Sequence, residues 1–181
     1  MERQEAPGEL ELVRAFVNTL NVEAGTDEFA DPSALARWLR RRGLSSTRTA
    51  SPADVVAARR LREAIRALLL ENNGVSVRKE AALTLNRTGE RARLRLVFDP
   101  QGRATLEPGA RGVDGALGRV LAIVADAMVD GTWGRLKACR ADGCRWAFYD
   151  HARNRSRHWC SMAVCGNRTK AREYRRRHVR G

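Results

Sequence analysis

Apolar residues recur every three or four positions in four stretches of the chain, which is the spacing of a helix with one buried face. Leu10, Val13, Phe16, Val17 and Leu20 mark the first, expected over Glu9–Leu20. Asn18 and Thr19 fall on its last turn, where amide and hydroxyl groups can satisfy free backbone groups. The alternative makes Asn18 a buried polar contact, either for a ligand in a pocket or for another segment. Asp31-Pro32 reads as a helix start, with Leu35, Trp38 and Leu39 as the buried stripe and Gly43 as the stop. Ser51-Pro52-Ala53-Asp54 reads as a capping box. The helix that follows runs to about Glu71, turns Val55, Leu61, Ile65, Leu68 and Leu69 inward, and ends at Asn72-Asn73-Gly74. Asp114 caps a fourth helix, Gly115–Val129, with Leu117, Val120, Leu121, Val124 and Met128 inward.

Between the third and fourth helices the period changes. Ala82–Asn86, a turn at Arg87–Glu90 and a strand Arg91–Phe98 predict a β-hairpin. Arg91, Arg93 and Arg95 alternate with Ala92, Leu94 and Leu96 and would form a solvated row, with a secondary anion contact as the alternative. A turn at Asp99–Gly102 and a third short strand at Arg103–Leu106 would follow. The expected fold class is α+β: a mainly helical N-terminal domain with a β-hairpin, then a small four-cysteine module ending in a helix.

Charge locates the second part. The 181 residues hold 34 Lys+Arg against 21 Asp+Glu, a formal net charge of +13. Residues 138–181 hold 12 basic and 3 acidic side chains, so net +9 of that excess lies in the last 44 residues. All four cysteines lie there too, which predicts domains at 1–133 and 134–181. The excess suggests a polyanionic partner. Arginine outnumbers lysine 31 to 3, a bias that genome composition alone can produce. The acidic opening Met1–Glu5 lacks an apolar signal core. The apolar stretch Leu121–Val129 falls far short of the ~20 residues a membrane span needs. A cytoplasmic protein without a membrane partner is expected, with its thiols reduced.

Four residues separate Cys139 from Cys144, and four separate Cys160 from Cys165. Two close pairs match a structural zinc site in which each pair forms a knuckle. Four thiolates fill a tetrahedral shell and leave no position for a catalytic water, so one ion would hold structure rather than perform chemistry. A disulfide sensor triggered by zinc release is the alternative; His151 and His158 are read as non-ligands. Residues 1–130 pair no nucleophile with a base, contain no Gly-rich phosphate loop and hold no histidine, so no enzyme is expected.

Arg145–Asp150 reads as an aromatic strand with Trp146 and Phe148 on one face and Tyr149 on the other. Arg153, Arg155 and Arg157 alternate in the loop after it and would grip phosphates. A helix from Gly166-Asn167 would turn Ala171, Tyr174 and His178 onto the zinc core. Its basic side chains, Arg168, Lys170, Arg172, Arg175 and Arg176, would face nucleic acid.

The string Cys139-x4-Cys144-Arg-Trp-x-Phe-x-Asp150, followed by Arg157-His-Trp-Cys160-Ser-Met-Ala-Val-Cys165-Gly-Asn-Arg168-x-Lys170-Ala-Arg172, resembles the CGNR zinc finger, a bacterial module. His158 stands where that family usually has Arg. Phe16-Val-Asn-Thr19 and Ala36-Arg-Trp-Leu39 before Gly43 are similar to the ABATE domain that commonly precedes this finger. The resemblance implies a stress-induced transcription regulator. The expectation is a zinc-dependent protein that binds double-stranded DNA, its N-terminal domain sensing a small-molecule effector or forming a homodimer. RNA binding or ribosome association is the alternative if Trp146, Tyr149 and Trp159 are exposed for stacking. An enzyme with an N-terminal pocket around Asn18, targeted by the finger, is a third reading.

Overall fold

The computed structural model describes residues 5–76 and 80–178. Its first element, α1 (Leu10–Val17), buries Leu10, Val13, Phe16 and Val17 as the spacing predicts, but stops three residues short of Leu20. Two carbonyls at that end are taken from outside the helix. Arg66 of a later helix donates to the carbonyl of Val17 at 2.6 Å, and the Thr19 hydroxyl to that of Phe16 at 2.8 Å. A short ribbon follows, β1 (Leu20–Asn21) paired with β2 (Thr26–Asp27).

The next two helices start where the capping residues place them. In α2 (Pro32–Arg41) the Asp31 carboxylate accepts from the amide of Ala34, and Leu35, Trp38 and Leu39 are buried. In α3 (Pro52–Glu71) Ser51 and Asp54 form the reciprocal capping box. Trp38 meets Phe16 and Phe29 at ring separations of 5.5–5.7 Å, an aromatic knot at the centre of the core. Two arginines of α3 are buried beside it. Arg62 is clamped bidentately by Asp27 at 2.6 and 3.0 Å, and Arg66 by Glu63 at 3.0 Å.

The expected hairpin is shifted along the chain. Residues 82–92 are helical: α4 runs Glu80–Ala92, and only Ala81 and Ala92 of it are buried. The alternation in Ala82–Asn86 is thus a sparse helical face, and the Thr84 and Thr88 hydroxyls donate to carbonyls four residues back. Gly89 sits inside the helix, within ordinary contact range of Leu94 and Leu121. The hairpin is β3 (Leu94–Phe98) with β4 (Ala104–Pro108), joined by the turn at Asp99–Gly102. The arginine row therefore does not exist. Arg91 is in α4, Arg93 turns the corner at φ 52°, and only Arg95 is on a strand.

The last helix of this part, α5 (Gly112–Val129), begins before Asp114, which pairs with Arg91 instead of capping. It is enclosed on several sides, burying Val113, Leu117, Val120, Ile123 and Val124, while Met128 is exposed rather than inward. Gly118 lets it approach α4 and β4: a side chain there would collide with Ala92 and Pro108.

The finger does not begin a separate core. A short turn at Trp133–Arg135 leads into β5 (Leu136–Ala138), which pairs antiparallel with β6 (Ala147–Tyr149). Trp133, Leu136, Ala138, Ala147 and Tyr149 are buried in the same cluster as Phe16, Trp38 and Leu117. The chain then forms a tight turn at Met162–Gly166 and ends in α6 (Asn167–His178). None of the described helices is long and apolar enough to cross a membrane.

Candidate metal centre

The β5–β6 hairpin delivers the first cysteine pair. Its register puts Ala138 opposite Ala147, and the amide of Cys139 donates to the carbonyl of Trp146 at 2.9 Å, so the chain is still zipped when it reaches the thiol. The turn then folds back as the amides of Cys144 and Arg145 donate to the carbonyl of Ala141 at 2.8 and 3.1 Å. Arg145 takes a left-handed φ of 51° to rejoin β6. The second pair has the same construction. The carbonyl of Ser161 accepts from the amides of Cys165 and Gly166, and its hydroxyl from that of Val164.

These two knuckles bring the Sγ atoms of Cys139, Cys144, Cys160 and Cys165 within 4.8 Å of one another. The Cys144–Cys160 and Cys160–Cys165 sulfur separations are 3.6 and 3.7 Å. A zinc–thiolate bond of about 2.3 Å sets a tetrahedral edge of about 3.8 Å, whereas a disulfide needs about 2.05 Å. All four cysteines are free thiols, and the cluster has the size of a four-thiolate zinc shell.

The electrostatics point the same way. Hydrogen bonds from Cys144 and Cys160 hold the Cys139 thiol down to about 2, and the contact with Cys139 drives Cys160 far upward. Burial, then the charge on Cys139, pushes Cys165 up to about 12. Thiols so placed cannot all ionise unless a cation shares the site, and a divalent metal supplies that charge. Phe148, Trp159 and Val164 pack around the sulfurs, with Cys139 and Cys165 buried and Cys144 and Cys160 partly exposed.

Around this shell runs a set of polar contacts, several of them reaching into the helical domain. Lys137 on β5 and Asp150 after β6 form a buried ion pair at 2.8 Å. Lys137 also donates to the carbonyls of Arg155 and Arg157, and Asp150 accepts from the amides of Ala152 and Arg157. One ion pair thereby fixes both ends of the basic loop. Burial opposes the Asp150 charge, but the hydrogen bonds from Lys137, Ala152 and Arg157 outweigh it and hold this carboxyl below its usual range.

Asn18 turns out to be a contact with another segment. Its amide nitrogen donates to the carbonyl of Ala147 at 2.9 Å and its oxygen accepts from the Ala147 amide at 2.8 Å. The side chain imitates a neighbouring strand for β6 and is committed there rather than to a ligand pocket. The enzyme reading that placed a pocket around Asn18 loses its anchor with it. The end of α3 does the same for β5: Asn72 donates to the carbonyls of Trp133 and Leu136, each at 2.9 Å. Asn73 donates to the carbonyls of Ala138 and His158, and its oxygen meets His158 Nδ1 at 2.8 Å. Arg140 returns a hydrogen bond to the carbonyl of Asn73 at 2.6 Å. Neither His151, beside the Glu5 carbonyl, nor His158 faces the sulfurs as a ligand.

The profile of the ABATE family, described as "Putative stress-induced transcription regulator", matches residues 10–131. The chain belongs to the ABATE family. The CGNR zinc finger profile matches residues 135–178, and its signature tetrapeptide is Cys165–Arg168, at the second knuckle and the first turn of α6. Among curated proteins nothing matches the chain. In this ABATE protein the finger's zinc site is the four-cysteine cluster, which fits one structural ion.

The sequence-predicted basic residues divide into two groups. Arg157 is half-buried against the finger, its guanidinium 5.8 Å from the centre of the Phe148 ring, whereas Arg153 and Arg155 are exposed. Arg168 reaches Glu23 of the β1–β2 turn at 2.7 Å, and Arg172 lies 3.9 Å from Asp142. Successive residues of a helix turn by about 100°, so Arg168, Arg172, Arg175 and Arg176 share one face and Lys170 falls opposite. The expectation that Ala171, Tyr174 and His178 pack on the zinc core is not met. All three are exposed, and Tyr174, 63% accessible, stacks on His178 at 4.0 Å.

Proposed function

We propose that this ABATE protein is a transcription regulator whose CGNR finger binds double-stranded DNA, with α6 and the loop at Arg153–Arg155 contacting phosphates. The observation that carries the reading is the state of α6. From Lys170 onward each described side chain is exposed, and one face carries four arginines. A short cationic helix held at its base by a zinc knuckle has the form of elements that enter the major groove or track phosphates. The helical domain takes the sensing or pairing role.

Single-stranded RNA is disfavoured by the aromatic residues. Tyr149 is buried in the shared core, and Trp146 and Trp159 are half-buried, which leaves less ring surface for stacking bases than exposed aromatics would offer.

Binding of a fluorescent duplex by the zinc-loaded protein, titrated with salt, tests the proposal, with single-stranded RNA as competitor. Each phosphate contact contributes about 0.9 to the slope of log K against log salt, so Arg172→Ala with Arg175→Ala should flatten it by about 2. An unchanged slope removes α6 from the interface, and preferential displacement by RNA overturns the duplex reading.

A further inference from the structure

Five arginines surround the loop between α2 and α3. Arg42, Arg111 and Arg119 line a cavity of about 780 Å³. Arg40 and Arg48 line an adjoining depression that shares Ser45 and Ser46 with it. One carboxylate, Glu9, lines the larger cavity, and it is paired with Arg119. Arg42 and Arg111 have no ion-pair partner among the described residues. The Arg42 guanidinium lies over the Trp38 ring, 5.4 Å from its centroid, a contact with the face of the group that leaves its N–H edge available.

The walls add neutral donors to this charge. The first turn of α5 borders the cavity through Gly112, and no side chain caps that helix. Its amides and the positive end of its dipole therefore augment the arginines. Gly115 keeps the wall low, because any side chain there would strike the Ala110 carbonyl. The apolar part of the lining comes from Leu12, Leu44 and Ala116. A volume in the small-molecule range, a mainly polar lining with an apolar side at Leu12, Leu44 and Ala116, and forked cationic donors suit an anion attached to an organic body.

We propose that this cavity is a binding site for a phosphorylated small molecule, with Arg42 and Arg111 pairing its phosphoryl oxygens. The site deepens the sensing role proposed for the helical domain and rests on that reading. It is chemically separate from the cationic helix of the finger.

Calorimetric titration of the full-length, zinc-loaded protein with adenosine triphosphate and with inorganic pyrophosphate tests it. Saturable binding of one equivalent is expected for at least one probe. Loss of a charge-assisted pair should weaken binding about tenfold or more in Arg111→Ala, and further in the Arg42→Ala, Arg111→Ala double variant. Arg111→Lys should restore part of the affinity, since it keeps the charge and loses the fork. Both arginines are exposed, so unchanged melting of the variants serves as the folding control. The Arg172→Ala, Arg175→Ala variant should bind the probes as the parent does. Absence of saturable binding, equal binding by the cavity variants, or weakening by the finger variant overturns the site. A parallel duplex titration separates the two readings. If the cavity variants lose duplex affinity while neither probe binds, the arginines contact DNA backbone and the small-molecule site falls. If probes bind and duplex does not, the site stands and the DNA reading falls.

Discussion

The helical part of the molecule buries Phe16, Phe29, Leu39 and Ile65 completely, while the finger's own buried cluster consists of Cys139, Phe148 and Cys165. The first is an ordinary hydrophobic core. The second is too small to fold on apolar burial and depends on four sulfurs and one ion pair. The difference would suggest two independent units, yet the β5–β6 hairpin belongs to the larger core. It is tied there by Asn18, Asn72 and Asn73. The sulfur-held part is therefore the outer portion, the knuckles, the basic loop and α6, built on a hairpin that the helices hold.

Removing zinc should separate the two most sharply. Structural zinc contributes on the order of 10 kcal/mol in isolated fingers. Chelation should release amide protection in residues 139–146 and 150–178, while β5, β6 and the helices keep theirs by hydrogen exchange. Loss of protection at Leu136 and Tyr149 as well would show that the finger holds the hairpin, not the helices.

Lys137→Met comes next. It strands a buried carboxylate that has no exposure of its own, at a cost of about 3–5 kcal/mol in denaturant unfolding. The same pair sets a pH dependence. Because the folded-state pKa of Asp150 is depressed, its contribution is present above the ordinary carboxylate range and is lost as pH falls through the folded value. Parent stability should decline on acidification through that window, and Lys137→Met should flatten this part of the profile.

Asn18→Ala is expected to cost about 2–4 kcal/mol, since it leaves both backbone groups of Ala147 without their partner. Urea unfolding measures it, and a change under 1 kcal/mol would mean the hairpin is held by burial alone. The smallest effect should come from Tyr174→Ala. Its ring rests only on His178 among the described contacts, so stability should shift by less than about 0.5 kcal/mol.

Sequence pattern was informative where one face is strongly apolar or a cap is spelled out. Asp31-Pro32 and Ser51-Pro52-Ala53-Asp54 start their helices at the expected residues, and the cysteine spacing alone indicates the knuckles. It failed at α4, where Leu83 is 58% exposed and the inward stripe is built from Ala81, Leu85, Thr88 and Ala92, too small and too polar to stand out as an apolar period. The clamps were illegible for a different reason. Asn72-Asn73-Gly74 reads as a helix stop and is one, but nothing local shows that both amides also reach carbonyls more than sixty residues away. Lys137 and Asp150 are equally quiet in sequence, because burial of the pair is decided by the fold around them.

Asn73 touches both limbs of the finger, through Ala138 on one side and His158 on the other. That arrangement bears on how freely the finger could be grafted onto another protein. Cut at residue 135, it would carry Leu136, Ala138, Ala147 and Tyr149 into water, and would leave behind the three asparagines that satisfy its backbone. A recipient would have to offer an equivalent cradle, so the unit of inheritance for this module is the finger together with the ends of α1 and α3.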